Sequence, residues 1–229
     1  MGDLYMVKYI AMMRKFKFSI GEYYHIYNRG TDKRTIFMDE EDRQRFSNLL
    51  YLCNSEKNIV FRDIPIGEAY GNERGDTLVD IGAYCLMQNH FHLLIREKMD
   101  SGISIFMQKL LTAYSMYFNT KYKRSGSLYE GPFRATHVSE DRYLKYLFAY
   151  IHLNPVKIID PQWKEYGISN RAVAKEHLSN YLYSSYQEYL GTLRKEWKIL
   201  NRPAFPEYFT DPQDFEGFVD EWLSFKSVP

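Results

Sequence analysis

Two histidines one residue apart, His90 and His92, flank Phe91 inside the apolar run from Tyr84 to Ile95. In an extended chain successive side chains alternate faces, so both imidazoles share one face and the phenyl ring takes the other. Neutral imidazole is the commonest metal ligand in proteins. Two of them on a stiff strand can converge on one ion without ordering a loop. The pair is therefore one edge of a candidate metal site. A third histidine, His25, lies in Tyr23-Tyr24-His25-Ile26-Tyr27. A lone histidine on a strand is more often a structural residue than a ligand.

A second kind of chemistry is suggested where cations alternate with rings. Lys121, Lys123 and Arg124 are followed by Gly126 and then by Leu128, Tyr129, Gly131, Phe133 and Arg134. Such interleaving suits a strand-and-loop surface that pairs cations with phosphates and stacks rings on unpaired bases. Arg29, closing the first aromatic strand, is counted with Lys121, Lys123, Arg124 and Arg134 as a nucleic-acid contact.

These groups must be carried by regular elements. Tyr23 to Tyr27 reads as a first strand, ended by the turn Asn28-Arg29-Gly30. Asp39 to Asn54 has acids at its start and an apolar face, which predicts an amphipathic helix. Strands are expected near Ile59 to Ile64 and from Leu78 to Ile95, around a polar loop, Glu68 to Thr77. Ile103, Phe106, Met107, Leu110, Leu111 and Tyr114 recur at helical spacing, predicting a long helix from Ser101-Gly102 with a buried face. A last helix is expected from Ser139-Glu140-Asp141 to Asn154, where Pro155 disfavours α dihedrals in the residue before it. It places Tyr143, Leu147, Tyr150 and Asn154 on one face. Asp160 to Ser179 reads as irregular, and the final thirty residues read as a peripheral extension.

Composition narrows the class. Hydrophobic residues at 45% and charged residues at 26% are ordinary for a globular chain of 229 residues, whereas 17% aromatic is high. A net charge of +1 argues against a polyanion binder held by bulk charge, so any nucleic-acid surface is local. Cys53 and Cys85 are too far apart in sequence for a Cys-x-x-Cys site. With no signal peptide or membrane span expected, a cytoplasmic protein is the default.

The strand-helix-strand-strand-helix-strand order predicts an α+β fold, a ferredoxin-like antiparallel sheet with helices packed on it. At residue level, Tyr24-His25-Ile26-Tyr27-Asn28-Arg29-Gly30, His90-Phe91-His92, Gly126 to Phe133 and Tyr150-Ile151-His152-Leu153-Asn154-Pro155-Val156-Lys157 resemble, in order and spacing, the single-tyrosine HUH transposases. Among those, the likeness is to the REP-associated tyrosine transposases, and it runs from about residue 20 to 191. The resemblance implies His90 and His92 as metal ligands, Tyr150 as the nucleophile and Asn154 as a third ligand, where relatives commonly carry Gln. It further implies Mg²⁺ or Mn²⁺ as cofactor and single-stranded DNA with hairpins or palindromic repeats as substrate, cleaved and rejoined through a 5′-phosphotyrosine. The protein would act as a monomer or homodimer. The domain plan that follows is an arm at 1–19, the transposase domain at 20–160 and an extension with an acidic tail at 161–229. Two rival readings stay open: a metal-dependent nuclease without a covalent intermediate, and a non-catalytic module that binds single-stranded nucleic acid.

Overall fold

The computed structural model describes residues 17–57, 59–60, 64 and 68–224. Strand β1 (Tyr23–Arg29) leads to helix α1 (Glu40–Leu52), then to strands β2 (Val79–Met87) and β3 (His90–Glu97). Helix α2 (Gly102–Lys121), strand β4 (Arg134–Val138) and helix α3 (Asp141–Leu153) follow. The sheet order is β2-β3-β1-β4 and every neighbouring pair is antiparallel. This is the ferredoxin-like arrangement, with β1 and β3 in the centre.

Strand periodicity sorts the side chains into two cores. Tyr24 and Ile26 of β1 and Phe91, Leu93 and Ile95 of β3 face α1 and α2, whose Phe46, Leu49, Phe106, Leu110 and Tyr114 fill that layer. The alternate residues turn to the other face, where Leu94 meets Leu144, Leu147, Phe148 and Ile151 of α3. In β2 a bulge between Ile81 and Ala83 shifts the register, so Val79 and Ile81 but then Tyr84 and Leu86 face the first core. Gly82 occupies the bulge because a Cβ there would meet the Phe205 ring at 2.7 Å. Helix α1 starts where its sequence says it should: the Asp39 carboxylate accepts the Asp42 amide at 2.9 Å, and Glu40, Glu41 and Asp42 face the positive end of the dipole.

Three elements depart from the sequence expectation. The run Leu78 to Ile95 is two strands, because Gln88 and Asn89 make a tight turn in its middle. The Gln88 carbonyl accepts the Ile36 and Phe37 amides, and the Asn89 carbonyl accepts the Gly30 amide. These bonds satisfy the turn's polar groups without the Gly or Pro that usually announces one. Of the strand expected near Ile59 to Ile64, residues 61–63 lie outside the described residues, and Ile59, Val60 and Ile64 are not in strand. The stretch from Asp160 to Ser179 is more ordered than expected. It holds a helical turn at Trp163–Tyr166 and most of helix α4 (Arg171–Asn180), whose N-cap Asn170 accepts the Val173 amide at 3.2 Å.

The C-terminal part is built into the second core. Tyr183 to Ser185 run along the free edge of β2, with Tyr183 O accepting the Leu86 amide and the Ser185 amide donating to Tyr84 O. Helix α5 (Pro212–Ser224) then buries Phe215, Val219 and Leu223 on the α3 side. Both cysteines are free and buried. Among the described residues no helix is long and apolar enough to cross a membrane. Of the N-terminal arm, residues 1–16 lie outside the described residues, while Phe18 packs edge-on against Tyr24.

Candidate active site

The histidines meet on the face of the sheet that carries α3. Tyr27 pairs with His92 and Arg29 with His90 across β1 and β3, and this register sets His25 diagonally beside His92. His25 Nε2 lies 2.9 Å from His92 Nδ1. His90 Nδ1 lies 2.6 Å from the Asn89 side-chain oxygen. That oxygen can only accept, so Nδ1 of His90 carries the proton and Nε2 keeps its lone pair. To offer its Nε2 lone pair to an ion, His92 must take the same tautomer, with Nδ1–H donating to His25. Ligating histidines are ordinarily held in this way, by a hydrogen bond from the other ring nitrogen. The rings of His90 and His92 stand 5.0 Å apart and nearly perpendicular.

All three imidazoles are held neutral. Burial pushes His25 and His90 down to about 4, and nearby cations, Lys164 for both and Arg29 and Lys157 for His90, act in the same direction. His92 is pushed well below the ordinary range, again chiefly by burial. A neutral imidazole is the form that binds a cation.

Helix α3 delivers the tyrosine. The Tyr150 ring meets His92 and His25 edge-on, with centroids 5.6 and 5.7 Å away. Burial raises its phenol above the ordinary value, and the neighbouring Tyr146, Tyr143 and Tyr27 add to the shift. Asn154, one turn on, is 3% exposed, and its Nδ2 donates to the Tyr150 carbonyl at 2.7 Å. Its Oδ1 is thus the other polar atom of a fixed side chain. The helix ends before Pro155, yet Asn154 keeps α dihedrals (φ −54°, ψ −38°) because its carbonyl accepts the Lys157 amide and the next turn continues. On the far side of α3, His152 is fully buried and its Nε2 lies 2.7 Å from Ser185 Oγ, which also accepts the Tyr84 amide at 2.9 Å. This bridge pins the last turn of α3 to β2 and so fixes where Tyr150 stands.

Tyr150, Asn154, His90 and His92 open onto one cleft of about 250 Å³, whose walls add Tyr27, Arg29, Arg134, Glu130, Lys157 and Lys164. Four cations thus surround a single carboxylate, and that carboxylate is engaged: Glu130 lies 3.0 Å from Arg29 and 4.0 Å from Arg134. Arg29 and Arg134 therefore stand at the cleft. Lys121, Lys123 and Arg124 do not line it. Lys121 is gripped by Asp39, Asp42 and Glu41 at 2.8, 3.0 and 3.1 Å, where α1 meets α2. Tyr129 and Phe133, expected as stacking rings, are core residues at 5% and 7% exposure. Among the described residues no cluster of three or more His, Cys, Asp or Glu side chains suited to a metal exists. His90, His92 and Asn154, the residues expected from the sequence as ligands, all line the cleft.

The family model for IS200-like transposases matches residues 20–154, more than half of the chain. The chain belongs to that family. No curated protein matches it at a significant level. Among solved structures, one described as a REP-associated tyrosine transposase bound to a REP hairpin aligns with 14% identity and a TM-score of 0.47, covering 80% of this chain and 88% of that one. The part matched to the IS200-like transposases contains His25, His90, His92, Tyr150 and Asn154 and stops before Lys157 and Lys164. Sequence reasoning treated His25 as a loose third candidate. Its partner was out of reach, since only the β1–β3 register brings it to His92. Lys164 was passed over in a stretch read as irregular, although Trp163 and the Gly167 stop around it were visible signals of a helical turn.

Proposed function

We propose that this IS200-like transposase cleaves and rejoins single-stranded DNA that folds into hairpins, as the REP-associated branch would, with Tyr150 as nucleophile. The observation that carries the reading is the seating of the Tyr150 ring against the His25–His92 pair in a cleft walled by four cations. The Tyr150 Oη–P bond forms as the P–O3′ bond breaks; the phenolic proton passes to solvent and the departing 3′ oxygen takes up a proton. The phosphotyrosine ester retains the energy of the original diester, so a 3′ hydroxyl can later displace Tyr150 and join strands without a nucleotide cofactor. His90, His92 and Asn154 are the residues that would hold Mg²⁺ or Mn²⁺; the amide oxygen suits either ion, while two imidazole nitrogens favour Mn²⁺, or a softer ion such as Zn²⁺, over Mg²⁺. The bound ion would polarise the phosphoryl oxygens and offset charge developing on them. The protein's own part is to present a desolvated phenol at a fixed position, to keep both imidazoles neutral and to supply cations for the phosphates on either side.

The test uses hairpin DNAs with randomised unpaired flanks, labelled and incubated with Mn²⁺ and parent, Tyr146→Phe or Tyr150→Phe protein, then denatured. Label should stay with the parent and Tyr146→Phe chains and be absent from Tyr150→Phe. Label surviving on Tyr150→Phe rejects the nucleophile. Cleavage without any adduct on the parent favours a metal-dependent nuclease that activates water.

A further inference from the structure

Lys164 lies ten residues beyond the matched part, on the single turn Trp163–Tyr166, yet its ammonium sits 4.2 Å from the centre of the Tyr150 ring. The turn is tied down at both ends. The Trp163 amide donates to the Asp160 carbonyl, the Asp160 carboxylate accepts the Ser169 amide and hydroxyl at 2.9 Å each, and Gly167 leaves the turn at φ +80°. Lys164 is therefore held at the cleft by a closed loop, with its ammonium also 5.6 Å from the centre of the Trp163 ring.

The charge around it is unbalanced. Lys157, Arg29 and Arg134 share the cleft with Lys164, and the one carboxylate among the lining residues is already taken by the two arginines. Burial and the charge of Lys157 push the Lys164 ammonium below its ordinary value, and the neighbouring Glu165 offsets this only in part, so an anion entering beside Tyr150 would relieve both. A phosphodiester attacked by Tyr150 is such an anion. A lysine on a four-carbon stem can move from the ring face to the phosphate without backbone change.

We propose that Lys164 is a catalytic residue of this transposase, binding the phosphate attacked by Tyr150; the assignment rests on the reading of Tyr150 as nucleophile. Its ammonium meets the non-bridging oxygens while the Tyr150 Oη–P bond forms and the P–O3′ bond breaks. The family-matched part thus lacks one group of its own reaction site, which the C-terminal loop supplies.

The experiment uses the full chain and the hairpin recovered above as an adduct. Lys164→Met keeps the apolar stem over the ring and removes the charge; Lys164→Arg restores the charge. Single-turnover adduct formation should slow on the order of 10²-fold in Lys164→Met and recover most of the loss in Lys164→Arg, a size typical of one lost transition-state donor. Mn²⁺ affinity and melting temperature of Lys164→Met should not fall below the parent's, since the change removes a cation that burial disfavours and that repels charge at the imidazoles. Replacing the cleaved phosphate by a methylphosphonate should weaken binding to the parent and leave binding to Lys164→Met unchanged. Equal adduct rates in parent and Lys164→Met, or equal losses in Met and Arg variants, overturn the assignment. Should no DNA form an adduct with the parent, the nucleophile reading fails, and binding to the randomised hairpins then decides Lys164 alone: unchanged affinity in Lys164→Met overturns it.

Discussion

His25 Nε2 and His92 Nδ1 face each other at 2.9 Å across the two central strands, so the ring orientation of one imidazole is set by the other. Replacing His25 by Leu removes the partner of His92 Nδ1 and leaves His92 free to change tautomer. Mn²⁺ affinity, read by titration calorimetry, should fall roughly 10- to 100-fold, the usual cost of losing such a supporting bond. His25→Gln, which can still accept, should lie nearer the parent. Parent-like affinity in His25→Leu would show that His92 needs no support.

Acid should destabilise the metal-free protein through these imidazoles. His25 and His90 titrate near 4 when folded, and His152 near 3, against an ordinary value of 6.5 in the unfolded chain. Between about 4 and 6.5 the unfolded chain therefore binds more protons, and stability rises with pH across that window. Melting temperature should fall steadily on going from pH 7 to pH 5, and His152→Gln should flatten the slope. A melting temperature that holds or rises on acidification contradicts the burial argument.

Arg29 and Arg134 wall the cleft, whereas Lys121 already has three carboxylate partners. Removing either arginine's charge should reduce the salt slope of hairpin binding by about one and weaken binding evenly across sequences. Lys121→Met should change the slope less. Fluorescence anisotropy over a range of salt concentrations separates the two outcomes; equal slopes for all three variants would place the phosphate path elsewhere.

Phe215 is fully buried and its ring lies 5.3 Å from that of His152 and 4.9 Å from that of Tyr189. Phe215→Ala should cost about 3–5 kcal/mol by urea unfolding, the range for emptying an aromatic core site. Because His152 belongs to the bridge that seats α3, adduct formation should weaken at temperatures where the variant is still folded. A loss under 1 kcal/mol would mean that α5 packs loosely on α3.

Local signals carried most of the first core into the sequence reading. The alternation in β1 and β3 and the apolar period of α2 are each contained within one element, and each appears as expected. Turns without Gly or Pro are less visible, and Gln88-Asn89 passed as strand because apolar residues lie on both sides. Helix α4 offers few periodic apolar positions beyond Ala174 and Leu178, so its cap at Asn170 was the better clue. What joins distant stretches was not legible at all. The bond between His25 and His92, the Tyr84–Ser185–His152 bridge and the approach of Lys164 to Tyr150 depend on register and on loop closure. No spacing within a single element encodes them.

The packing of Tyr183 to Ser185 on β2 bears on how copies of such a gene decay. A stop codon arising between Asn154 and Tyr183 leaves His90-Phe91-His92 and the Tyr150-to-Asn154 turn spelled in full. The product would nonetheless lack the serine that seats α3, the cover over the β2 edge and the aromatic plug at Phe215. Motif surveys would score that relic as intact. A count of living copies has to follow the reading frame through residue 223, where Leu223 closes the second core.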